Sequence, residues 1–238
     1  MIRSLTGLAI LGALAGSANA AFFSFASDTA DASWSFTGQG NQIVSALAPN
    51  STITLEVSDN GQNPVSFVTR FSANFTLSYI TSVQVGASWQ HLYSLDGSFA
   101  FRDASDNSLI LDATFTGGSM TALGGRRSWG ASGTAFGADP ETSINYTLHK
   151  NIAQLGLTAG ALPIAPDFNF TLTVLNTSGV IPYPASAPGR GVALDANFLP
   201  SLTWYSEGSY SGSAQVPTPG SMALLGAAGL MVARRRRK

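Results

Sequence analysis

Few residues in this chain are equipped for catalysis. Its 238 residues include two histidines and no cysteine. The absence of cysteine excludes a thiol nucleophile, a thiolate zinc site and a disulfide scaffold together. His91 lies within Trp89-Gln90-His91-Leu92-Tyr93, and His149 precedes Lys150. Neither belongs to an HExxH helix, and no G-x-S-x-G elbow presents a serine. Both histidines therefore read as structural or surface groups, and no catalytic residue is assigned. A glycan hydrolase would need two carboxylates about 5–9.5 Å apart, and spacing alone selects no pair. Asp103-x-Ser105-x-Asn107 imitates the first ligands of a calcium loop. Ser108 stands where that loop needs Gly, and Thr114 where it needs Glu. A polar turn accounts for these residues as well, so neither a metal nor another cofactor is expected.

Aromatic rings are the remaining candidates, because a ring face stacks on the C–H groups of a sugar. On a strand, Trp89, His91 and Tyr93 would share one face, while Trp204 clusters with Tyr205 and Tyr210 farther along. Trp89, His91, Tyr93 and Trp204 are thus the tentative glycan contacts. The competing reading is that they fill a core built largely from fourteen Phe, six Tyr and four Trp.

The elements that must position these rings are strands. Trp34 and Phe36, Ile53 to Val57, Phe71 to Leu77 and Phe168 to Val174 all alternate apolar with polar residues. Period two gives each strand one buried and one wet face. Phe168, Phe170, Leu172 and Val174 are accordingly expected in the core, with Asn169, Thr171 and Thr173 wetter. Asp59-Asn60-Gly61 and Asp96-Gly97 read as tight turns, the second closing a hairpin between Tyr93-Ser94-Leu95 and Phe99-Ala100-Phe101. The Gly-rich stretches Gly117 to Gly137 and Ile181 to Gly191 read as long surface loops, and Asn151 to Leu157 as a helical turn or two. The expected fold is all-β: one antiparallel β-sandwich, jelly-roll-like, over residues 21–214.

Charge is segregated. Charged residues are 11% of the chain, where a soluble protein averages about 25%. All thirteen acids fall between Asp28 and Glu207, against six basic residues in the same span, a net charge of −7. Such a domain repels polyanions at long range, and no nucleic-acid partner is expected.

Both ends read as addresses. Residues 1–20 form a signal peptide: Arg3, an apolar run from Leu5 to Ala15, and a small-x-small site at Ala18 and Ala20, with cleavage before Ala21. Near the other end, nothing from Val216 to Ala233 is charged, and eighteen helical residues span about 27 Å, enough for a thin bilayer. Arg234, Arg235, Arg236, Arg237 and Lys238 follow and should stop transfer on the cytoplasmic side. This predicts a transmembrane helix over about 216–233 and a type I orientation.

The tail over residues 216–238 resembles the PEP-CTERM sorting signal of Gram-negative bacteria. Val216, Pro217 and Pro219 match the family's Val-Pro-Glu-Pro, with Thr218 in place of Glu, and Gly220 opens the short helix. The resemblance covers only the tail and implies exosortase and exopolysaccharide as partners, to which the signal peptide adds signal peptidase. Signal peptidase and exosortase act during sorting, with the inner membrane held transiently and exopolysaccharide as a later associate. The expectation is an exported, non-catalytic protein, first membrane-anchored and then at the cell surface or extracellular, associated with biofilm. A lectin-like carbohydrate-binding surface module is the alternative, and a secreted glycan hydrolase the third reading.

Overall fold

A computed structural model describes residues 19–26, 34–37, 42–47, 52–59, 62–138, 143–162, 164–177 and 190–216. Most of the signal segment, the 181–189 stretch and the tail beyond Val216 lie outside the described residues. The strands are β1 (Asn19–Ala26), β2 (Trp34–Thr37), β3 (Gln42–Leu47), β4 (Ile53–Asp59), β5 (Gln62–Val85), β6 (Ser88–Asp103) and β7 (Leu109–Gly125). They continue as β8 (Ser128–Ala138), β9 (Ser143–Leu148), β10 (Gly160–Leu162), β11 (Ile164–Asn176), β12 (Val192–Ala193) and β13 (Trp204–Val216). The only helix among the described residues is a 3-10 turn at Ala153–Leu155, within the stretch expected to be helical.

Every pairing is antiparallel, and the ladder closes on itself. β4 to β8 neighbour one another in chain order, β8 pairs with β11, β11 with β13, β13 with β1, and β1 with β4. That ring has eight strands, a number whose interior is just wide enough to be filled by side chains. β4 to β8 form a meander, not the crossed connections that a jelly roll requires. Rings on β5 and β6 reach those on β8, β11 and β13 across the interior. Phe75 meets Phe136 at 5.1 Å, Phe71 meets Phe170 at 5.5 Å and Phe101 meets Tyr210 at 5.3 Å. β2 and β3 bridge β13 to β5 over a second route, and β9 with β10 extends the edge of β7 beside β8.

Alternation places the core. Along β5, Phe71, Ala73, Phe75 and Leu77 are buried while Ser72, Asn74, Thr76 and Ser78 are exposed. The barrel is therefore apolar inside and polar outside, the reverse of a lipid-embedded porin. On β11 the expectation holds for Phe168, Phe170 and Leu172, which are buried, with Asn169 and Thr171 exposed. Val174 departs from it. The pairing with β13 slips between Thr173 and Asn176, and Val174 takes φ 55°. A β-branched residue in that region is strained. The slip moves Leu175 into the core and leaves Val174 half-buried.

Two further readings need correction. Asp59 pairs with Gln62 as expected of a hairpin around Asn60-Gly61. Asp96-Gly97, by contrast, is no turn: β6 runs through it, paired with β5 at Phe75↔Gly97. Glycine is needed there because a Cβ would lie 2.3 Å from the Asn74 carbonyl oxygen. The Asp96 carboxylate accepts a hydrogen bond from Gly117 N–H at 2.7 Å, at a register slip between β6 and β7. Substituting Gly97→Ala should cost about 3 kcal/mol, because backbone must move. Gly86→Ala, in open space at φ +62°, should cost about 1 kcal/mol. Urea unfolding of the two variants measures the contrast. Gly117 to Gly137 is likewise not a loop but most of the β7–β8 hairpin, with Arg126-Arg127 at its tip.

The long strands give the domain two distinct ends. Asn19 pairs with Val216 and Ala21 with Asp59, so both termini of the β domain sit together at the end where β4 passes into β5, the end to which the β6–β7 connection also belongs. Val216 closes β13 and is strand, so it does not begin the expected helix. Ala20 and Ala21 lie within β1, opposite Gln215 and Ala214. The tips Gly86-Ala87 and Arg126-Arg127 lie at the other end, where β12 pairs with β8 next to Arg127.

Candidate functional site

The tip end gathers all four rings singled out in the sequence, and it buries most of what they offer. Trp89, His91 and Tyr93 share the inward face of β6, as period two requires. His91 has no exposed surface and Tyr93 is 1% exposed. Trp204, at the start of β13, is 1% exposed and stands edge-on to Trp129 at 5.4 Å. None of these three can offer a ring face to a sugar. Trp89 alone keeps surface, half-buried, with the Arg126 guanidinium 5.9 Å from its ring centroid.

Tyr79, Ser82, His91, Tyr93 and Trp129 form a chain of polar contacts at this end. Trp129 Nε1–H donates to the Tyr93 hydroxyl at 2.9 Å, and that hydroxyl donates to the Phe198 carbonyl at 2.7 Å. Burial pushes the Tyr93 phenol well above its ordinary range, with the Trp129 hydrogen bond opposing it. Tyr79 OH donates to Ser82 Oγ at 2.9 Å, and Ser82 Oγ lies 2.7 Å from His91 Nδ1. His91 Nε2 lies 2.9 Å from the Gly125 carbonyl. A carbonyl only accepts, so Nε2 carries the proton and Nδ1 accepts from Ser82. The Ser82–His91 pair has the spacing of a nucleophile and its base. It is closed off, however: the Tyr79 ring stacks on Phe198 at 4.6 Å, and His91 has no accessible atom. The arrangement is a structural clasp that ties β5 and β6 to the tip of β7.

The terminal end holds the other polar cluster. His149 Nε2 meets Asp112 Oδ1 at 2.6 Å and Lys150 Nζ meets Asp103 Oδ2 at 2.6 Å. Ser105 donates to Asp103 Oδ1 through both N–H and Oγ, and Ser108 does the same to Asp106. The Lys150 ammonium and the Ser105 donors hold the Asp103 carboxyl well below its usual range. Its carboxylate oxygens are thus engaged by the turn and by Lys150. Among the described residues no group of three or more His, Asp or Glu is placed to hold a metal.

What the sequence missed is the composition of the tip. Arg126 and Arg127 are exposed where two strands reverse, and Arg127 donates to the Asp195 carbonyl at 3.2 Å while covering the Phe198 ring at 5.1 Å. Around them stand Ile80, Val83, Val85 and Leu123, 41% to 61% exposed. A Gly-Gly-Arg-Arg-Ser run gave no standard hairpin signal, and the outward turn of the valines follows from a bulge between Tyr79 and Thr81. Among the described residues no helix is long and apolar enough to cross a membrane. No family model matches the chain, and no curated protein or solved structure matches it either.

Proposed function

We propose that the chain is an exported, exosortase-sorted surface or matrix protein whose β domain is non-catalytic and associates with exopolysaccharide. The domain is a flattened sandwich with joined edges, carried between a signal helix and a transmembrane helix. The observation that carries this reading is the pairing of Asn19 with Val216. Both ends of the domain leave side by side, so one face of the fold serves signal peptide and tail alike. The described core is also complete without the tail: Phe23, Phe99, Phe170 and Tyr210 are closed in by residues of the β domain itself. The apolar run after Val216 therefore has lipid as its natural solvent.

Processing tests the reading. In an exosortase-positive host, Pro217→Ala with Pro219→Ala should leave export intact and abolish tail cleavage, read as the mass of the mature protein. Deleting Arg234 to Lys238 should shift the protein out of the membrane fraction, because the stop-transfer charge is gone. Unchanged mass in the proline variant would replace the sorting signal by an ordinary anchor. The lectin-like reading keeps one specific support, the half-exposed Trp89 ring beneath Arg126. Loss of glycan-array signal in Trp89→Ala would favour it.

A further inference from the structure

We propose that the tip end of the barrel, carrying Ile80, Val83, Val85 and Leu123 with Arg126 and Arg127, docks on an anionic lipid leaflet. Seven large apolar side chains are exposed among the described residues, and five of them lie at this end: these four and Leu202. They do not scatter as chance surface apolars do. Val83 pairs with Gln90 and Gln90 with Leu123, so Val83 and Leu123 stand in one cross-strand row on the outer face. Thr81, Leu92 and Thr121 form the next row, and Val85 continues the same face toward the tip. From Ser72 to Ser78 the outer face of β5 is Ser, Asn and Thr, and Val68 is a single exposed valine beyond exposed Arg70. The apolar stripe is thus confined to the last turns of two hairpins.

Charge selects the occupant. The exported domain carries −7, yet Arg126, Arg127 and Arg190 are exposed at this end, with Asp195 as the neighbouring carboxylate. Asp195 is committed to the backbone N–H groups of Asn197 and Leu199. An anionic surface would repel the terminal end and attract the tip, which fixes one orientation. Aliphatic side chains rimmed by arginine suit the headgroup boundary, where hydrocarbon goes below and guanidinium meets phosphate. A polysaccharide offers the arginines a partner and the valines none. A second copy packed on this face would crowd like charges together.

The chain's lack of cysteine permits a clean test in the full-length protein. An environment-sensitive fluorophore is attached at Ala87→Cys on the tip or at Gln154→Cys on the terminal end, and vesicles of phosphatidylglycerol with phosphatidylcholine are added. The tip probe should shift to the blue and be quenched by lipid-borne quenchers. It should do neither with phosphatidylcholine alone, and a response that depends on phosphatidylglycerol should appear at the tip probe and not at the Gln154 probe. An arginine near an anionic leaflet is worth about fivefold in binding, so Arg126→Glu with Arg127→Glu should weaken tip partition at least 25-fold. Val83→Asn with Val85→Asn should abolish the blue shift while the fold's circular dichroism is kept. The tail leaves the domain at Val216, opposite the tip, so its insertion by itself would bring the Gln154 probe to lipid with either vesicle and leave the Ala87 probe in water. An unchanged Ala87 probe, a shift of that probe with phosphatidylcholine vesicles alone, or a shift with alginate and no lipid would overturn the proposal. So would a blue shift that rises with protein concentration in the absence of vesicles, which would put a second copy on the patch.

Discussion

Raised above pH 10, the β domain should lose about 4 kcal/mol of stability per pH unit. Tyr93, Tyr146 and Tyr210 are each 2% exposed or less. Burial pushes all three phenols well above the ordinary value of 10.0, and for Tyr210 the neighbouring Tyr146 adds to it. Tyr146 and Tyr210 share a hydroxyl contact of 2.8 Å, and a Cβ at Gly212 would come within 2.5 Å of both oxygens. In the unfolded chain these phenols ionise near pH 10. Below that pH both states hold the protons, and the full stability is present. Above it, the unfolded chain releases protons that the folded state keeps, so unfolding is favoured as pH rises. Each tyrosine contributes about 1.4 kcal/mol per pH unit. A domain of ordinary stability, about 5–15 kcal/mol, should therefore unfold between about pH 11 and 14. Circular dichroism should collapse together with a step in tyrosinate absorbance. Tyr93→Phe should reduce the slope by about a third. Full titration of all six tyrosines before unfolding would refute the burial account.

Much of this core was legible because period two is a strong constraint. Wherever apolar and polar residues alternate without interruption, as from Phe71 to Leu77, the buried set is the one the pattern indicates. Errors arose where tertiary contact overrode a local signal. Asp-Gly ordinarily marks a turn, but Gly97 answers the close approach of β5 and lies mid-strand. The glycines from Gly117 to Gly137 looked like loop punctuation. Gly118, Gly124 and Gly137 instead sit where a Cβ would fall within 3.0 Å of a backbone atom. Glycine in a strand often marks such approach, but sequence cannot distinguish the two cases. Bulges caused the remaining departures. One at Tyr79/Thr81 turns the tip valines outward, and one at Thr173/Asn176 exchanges Val174 for Leu175. Each shifts the inward set by one residue, which local spacing does not encode. The candidate site was less legible than the core. Trp89, His91 and Tyr93 were rightly placed on one face of one strand. That face turned out to be the inner one, and a strand pattern alone does not say which face has water.

Phe170→Ala should cost about 3–5 kcal/mol, the largest loss expected from a single side chain in the core. Phe170 has no exposed surface and touches rings from four other strands. Phe136 stacks on it at 4.8 Å and 17°, and Tyr210 lies at 4.8 Å, Phe99 at 5.4 Å and Phe71 at 5.5 Å. These rings come from β8, β13, β6 and β5, so the void would open where opposite sides of the closed sheet meet. Aromatic neighbours held by backbone pairing on every side cannot collapse into that space, which puts the cost toward the upper end. Phe22 supplies the internal comparison. It is the same residue type, 40% exposed on the outer face of β1, beside the buried Phe23. Phe22→Ala should change stability by no more than about 1 kcal/mol. Urea unfolding at constant slope against denaturant separates the two. Similar losses for both variants would mean that the ring cluster does not carry the fold. A lowered slope for Phe170→Ala would locate the change in the compactness of one of the end states instead. The closed ladder argues for the first outcome, because eight strands around a filled interior have no free edge through which the packing could relax.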